Sequence, residues 1–268
     1  MSEEMINKVL AEVVKKMGGD DPAPSAAPAP APTPAAGTLP AVTEFVGTNV
    51  LGDTIGMVIA NVDPKLRAMM KLEKDFRSIG ILGARTGAGP HIFAADEAVK
   101  ATNSEILTIE LPRDTKGGAG HGSLIIFGAE DVSDARRAVE VSLGELDRTF
   151  GDVYGNDAGH LEFQYTARAS YALNKAFGAP IGKAFGITVG APAGIGVVLA
   201  DTAVKAATVD VIGYASPAGG TSFSNEVISF LSGDSGAVRQ AIIAAREVGI
   251  PLLGALGATP ESTTTPYI

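Results

Sequence analysis

Three groups of residues in this chain have types and spacings that could do chemistry. The first is a set of glycine-rich turns. GILGARTGAG, from Gly80, follows an apolar run as a dinucleotide loop should. Pro90 and His91 then follow its glycines, and Ile92 stands where the third glycine of the fingerprint belongs. APIGKAF around Lys183 lacks the four-residue spacing and the Ser or Thr with which a phosphate loop holds magnesium. GDSGA from Gly233 has the look of a protease nucleophile loop, yet the corresponding GAEDV from Gly128 has no Ser and no His–Asp pair accompanies it. Asp and Ser there read as a loop entering a helix. The second group is His91, His121 and His160, which show no metal-ligand spacing. No catalytic centre, cofactor or metal is expected, and the chain reads as non-enzymatic. The third group is two long polar loops, LPRDTKGGAGHGS from Leu111 and SPAGGTSFSNE from Ser216. Their glycines allow positive φ and close approach, and Arg113, Lys116, Thr221, Ser222 and Asn225 offer donors to small polar molecules.

The elements that must position these loops come in two copies. ADEAVKA from Ala95 and ADTAVKA from Ala200 differ at one position, and each precedes an apolar run, ILTIE from Ile106 and VDVIGY from Val209. DVSDARRAV from Asp131 matches DSGAVRQAI from Asp234, and GILGA from Gly80 matches GITVGA from Gly186, all near a spacing of about 105 residues. Two tandem domains are expected, at 43–149 and 150–268. In the first copy the pattern predicts strands near 56–60, 79–84, 106–110 and 123–127, with helices near 64–76, 92–102 and 133–150. In the second it predicts strands near 161–165, 185–189, 209–214 and 227–230. Four strands and three helices per copy make an α+β fold, one sheet covered by helices. Asp63 before Pro64, and Ser133, supply helix-start chemistry. The polar loops fall at the same point of each copy, which favours a function that needs both.

Ahead of the repeats stands a different kind of sequence. Ile6, Val9, Leu10, Val13 and Met17 share one face of a predicted helix over residues 1–19, which needs a surface to bury against. A Pro/Ala-rich linker over 20–42 follows, with a composition that makes an extended spacer rather than a core. Helix and spacer together read as a docking peptide for a partner. The 268 residues carry a net charge of −9, which argues against nucleic acid or an anionic membrane as partner, since both select basic surfaces. The start lacks the basic and apolar regions of a signal peptide, and without Cys there is no disulfide framework, so a soluble cytoplasmic protein is expected.

The order AD-x-AVKA, strand, polar loop, strand, GD-x-GAV-x-A helix resembles the bacterial microcompartment shell domain, here twice in tandem. The strand that usually ends the domain precedes each copy, so the chain is similar to the circularly permuted tandem shell proteins that assemble as trimers. RSIGILGARTGAGPHIFAADEAVKAT and ELPRDTKGGAGHGSLIIFG extend the likeness to those of propanediol-utilisation microcompartments. The resemblance implies a four-stranded antiparallel or mixed sheet per domain and a homotrimer forming a pseudohexamer. It implies a pore lined by Arg113, Asp114, Lys116, Gly117, Gly118 and His121 with Gly219, Gly220, Thr221, Ser222 and Asn225. It also implies lattice edges at Lys100 and Lys205. Partners would be other shell proteins, encapsulated enzymes reached through the N-terminal helix, and small diols such as 1,2-propanediol or glycerol. A cytoplasmic small-molecule sensor built from two α+β modules is the alternative.

Overall fold

The computed structural model describes residues 42–72, 74–113 and 121–268. The expected N-terminal helix, nearly all of its spacer, and Asp114, Lys116, Gly117 and Gly118 lie outside the described residues.

The first half runs β1 (Phe45–Asn49), a 3-10 turn (Leu51–Asp53), β2 (Thr54–Ile59), α1 (Pro64–Met70), β3 (Ser78–Ala84), α2 (Ala88–Ala101), β4 (Glu105–Glu110), β5 (Ser123–Ala129) and α3 (Val132–Thr149). The second runs β6 (Val153–Asn156), β7 (Gly159–Thr166), α4 (Tyr171–Phe177), β8 (Ala184–Ala191), α5 (Ala193–Ala206), β9 (Asp210–Ala215), β10 (Val227–Gly233), α6 (Ser235–Gly254) and β11 (Glu261–Ser262). The sheets are ordered β1-β2-β3-β5-β4 and β11-β6-β7-β8-β10-β9, with every neighbouring pair antiparallel. The α+β class stands, but the expected four-stranded sheets become sheets of five and six strands. β1 and β6 each fold back on the next strand as a hairpin, and β11 adds an outer edge to β6.

Helix ends follow local chemistry. Asp63 accepts from the N–H groups of Lys65 and Leu66, and Pro64 opens α1, as its sequence predicts. The helix was expected to reach Phe76 but stops at Met70, where Lys71 turns left-handed. The chain then doubles back, and Arg67 donates to the Phe76 carbonyl at 2.8 Å. Ser133 lies inside α3, and the position before that helix belongs to Asp131, whose side chain makes no capping bond. The small faces of α3 and α6 bury Ala135, Ala138 and Val139 in one half and Val238, Ala241, Ile242 and Ala245 in the other. Few aromatic rings are therefore needed against the sheets.

The rings gather instead where the halves meet. Phe93 of α2 stacks on Phe185 of β8 with centroids 5.9 Å apart, and Phe185 continues through Phe177 of α4 to Phe230 of β10. Each such pair adds about 0.5–1.5 kcal/mol beyond its buried area. A buried carboxylate fixes the same junction. Asp96 of α2 accepts from the backbone N–H groups of Ser170 (3.0 Å) and Leu173 (3.2 Å), so one half supplies the cap for the first turn of α4 in the other. Burial pushes the Asp96 carboxyl above its usual range, against the pull of Lys100 and the two amides. No helix among the described residues is long and apolar enough to cross a membrane.

Candidate functional site

The β4–β5 and β9–β10 loops end on one another. Arg113 Nη1 donates to the Ser222 carbonyl at 2.9 Å, and His121 Nδ1 lies 3.7 Å from Glu226 Oε1. The neck of the first loop is held by Gly122 N–H to Pro112 O (2.9 Å) and by Ala88 N–H, at the start of α2, to His121 O (3.0 Å). In the second loop Ser216 and Gly219 exchange backbone bonds, and Gly220 has φ +102 where a Cβ would collide with Ala215.

The expected donors divide by what they hold. Thr221 is fully buried, and its hydroxyl donates to Ser224 O at 3.1 Å, so it shapes the loop rather than facing solvent. Asn225 Oδ1 accepts from Ala193 N–H at 3.1 Å and caps α5. Ser222 and Phe223 adopt positive φ, and Phe223 stands 82% exposed, a loop-tip aromatic that the sequence reading passed over.

Beneath the loops is a cavity of about 560 Å³ with His121, Glu162, Ser222 and Glu226 among its polar lining and Phe177 and Phe230 among its apolar wall. Glu226 closes the second loop and is 2% exposed, and Glu162 on β7 is 5% exposed. Burial, with the Glu226 charge adding to it, pushes the Glu162 carboxyl up to about 8. Glu162 Oε1 is buried without a hydrogen-bond partner among the described residues and faces Gly89 in the first turn of α2, where any Cβ would collide with it. Neither glutamate was singled out from the sequence. The signal lay in the alternation of His160, Glu162, Gln164 and Thr166 along β7, a polar face that a lone sheet would give to water. Here α2 covers it, and Gln164 Nε2 donates to Thr149 O at 2.6 Å.

His91 turns out to be structural. It is fully buried, its Nδ1–H donates to Gly87 O at 2.6 Å, and its Nε2 lies 2.6 Å from Thr54 Oγ1. Burial holds it neutral, down to about 4. No group of three His, Asp or Glu able to hold a metal occurs among the described residues.

The two lysines of the repeated motif have different surroundings. Lys100 is 24% exposed, and its ammonium is engaged by Asp96, Glu97 and the Thr166 hydroxyl of β7. Lys205 is 73% exposed and, among the described residues, pairs with Asp201, which is itself 57% exposed.

Comparison with known proteins accounts for this duplicated arrangement. Residues 78–156 and 184–258 match the BMC domain family. The chain is 62% identical over 269 residues to the bacterial microcompartment shell protein PduB of Citrobacter freundii, covering all of this chain and 99% of that one. The chain belongs to the PduB-type bacterial microcompartment shell proteins. A PduB from Limosilactobacillus reuteri (strain DSM 20016) is 55% identical over 227 residues, covering 85% of this chain and 95% of its own. The crystal structure of a trimeric bacterial microcompartment shell protein PduB superposes with a TM-score of 0.82 at 55% identity, over 85% of this chain and all of that one. PduB-type proteins are structural rather than catalytic, which replaces the sensor alternative. The duplicated domains are therefore those of a microcompartment shell protein.

Proposed function

We propose that three of these chains form a pseudohexameric tile in the shell of a propanediol-utilisation microcompartment, and that the two long loops line its passage for small metabolites. The meeting of the loops, Arg113 on Ser222 and His121 beside Glu226, carries this reading, because corresponding points of the two repeats act together. Hydroxyl, imidazole and carboxyl groups on one side and Phe177 and Phe230 on the other suit a short diol, 1,2-propanediol or glycerol. A passage so lined discriminates by radius and by hydrogen bonding rather than by bulk charge.

The lattice edge is assigned to Lys205, whose ammonium is exposed, while that of Lys100 is engaged within the chain. Electron microscopy of the concentrated full-length protein should show hexagonal sheets. Lys205→Asp should leave discrete trimers, and a variant that still tiles normally overturns the edge assignment. Lys100→Asp should instead weaken the α2–α4 junction.

The N-terminal segment, outside the described residues, is proposed to dock encapsulated enzymes through Ile6, Val9, Leu10, Val13 and Met17. Deleting residues 1–38 should preserve sheets yet reduce the enzyme that pellets with them. Undiminished pelleting would refute the docking role.

A further inference from the structure

Glu226 meets one histidine at each carboxylate oxygen. His121 Nδ1, at the end of the β4–β5 loop, is 3.7 Å from Oε1, and His160 Nε2, on β7, is 3.3 Å from Oε2. The carboxylate side chain is 3% exposed, and the imidazoles are 13% and 16% exposed. His160 Nε2 is buried with no hydrogen-bond partner among the described residues, so its approach to Glu226 is one of distance without alignment. With neutral imidazoles, a buried carboxylate faces no formal cation in this trio. With protonated imidazoles, each oxygen gains a charged N–H donor, and such bonds are roughly twice as strong as neutral ones.

We propose that Glu226, His121 and His160 form a proton-operated clasp between the two loops, closed in mild acid and loosened in mild base. Among the described residues, the ionisable groups facing Glu226 are His121 from the first loop and His160 and Glu162 from β7, while Arg113 reaches the second loop at Ser222 O. All three of the first set act in one direction. A proton on either imidazole strengthens the clasp, while a charge on Glu162, whose carboxyl burial pushes up to about 8, repels Glu226.

The clasp also has a place in the architecture. Glu226 and His121 line the cavity described above, and His160 lines a second hollow of about 630 Å³, so the Glu226–His160 contact joins the wall of one to the wall of the other. Any effect on traffic rests on the pore reading; the clasp itself does not.

The chain has no Trp, so Phe223→Trp at the exposed loop tip supplies a single fluorophore. Emission and anisotropy are followed in the full-length protein from about pH 5.5 to about pH 9, spanning imidazole titration and the Glu162 range, with far-ultraviolet dichroism monitoring the fold. The expected result is a gain in loop mobility with rising pH across that span. In the same background Glu226→Gln should remove most of that amplitude. Should that variant fail to fold, His121→Gln with His160→Gln, which alters partly exposed rings, is expected to flatten the curve equally. A flat parent titration, or a curve unchanged in a folded variant, overturns the clasp.

Discussion

Glu162→Gln should stabilise the protein in mild base and leave it nearly unchanged in acid. The carboxyl ionises near 8 in the folded chain against 4.5 for its ordinary value, so between those limits the unfolded ensemble releases a proton that the native state retains. The native state binds more protons over that window, so stability falls as pH rises through it, by about 1.4 kcal/mol per pH unit. The accumulated loss reaches at most about 5 kcal/mol, less whatever water in the adjoining cavity restores. The positive end of α2 beside Glu162 acts the other way, but by only about 0.3–1 kcal/mol, too little to reverse the sign. Gln keeps the shape and never ionises, so it removes the slope. Thermal unfolding at fixed protein concentration should show melting temperatures about 10 °C apart near pH 8.5 and coincident near pH 4.5. Parallel curves for the two proteins across that range would show that Glu162 is not held neutral.

Asp152→Ala should have an effect of similar size and opposite sign. Asp152 is fully buried; one oxygen accepts from Arg246 at 2.5 Å, and the other from the N–H groups of Tyr267 (2.9 Å) and Ile268 (3.0 Å). Arg246 also donates to Ile268 O at 2.9 Å, and the Tyr267 hydroxyl donates to Tyr165 O at 2.9 Å while Arg148 lies over its ring. The carboxylate thus ties the last residues of the chain to α6 and β7. Removing one partner of a buried pair leaves the other charge unmatched, typically at about 3–5 kcal/mol. Denaturant unfolding should show that loss, with hydrogen exchange at residues 263–268 accelerating first. A change below about 1 kcal/mol would mean that the tail is held by its apolar contacts alone.

The duplication was legible because two copies of AD-x-AVKA a fixed distance apart are hard to misread, and the strand–helix alternation gave the α+β class. The outer strands were not. β1 carries a glycine in its centre and β6 spans four residues, so neither shows enough alternation to announce itself. The Asn156–Gly159 turn between β6 and β7, where the Asn156 side chain accepts from Ala158 N–H, was the available hint of a hairpin. The polar loops fall between strands at matching points of the two halves, as expected, but Glu226 and Glu162 were not singled out, and His160 was set aside because it lacks metal-ligand spacing. They meet through the sheet of the second half, with His160 and Glu162 on β7 and Glu226 beside the start of β10, across β8, a contact between residues far apart in the chain that no local spacing announces.

The divergence of Asp96 from Asp201 reaches beyond stability. The same motif residue is a buried cap at the junction in one copy and a solvent-facing partner of Lys205 in the other. A ring of six identical subunits permits no such division, because every substitution is repeated at all six positions. In a tile of three fused chains a change is written three times, so alternate sides can drift apart in charge and shape. In the tile proposed above, two kinds of side therefore alternate, which would let odd and even edges select different neighbours.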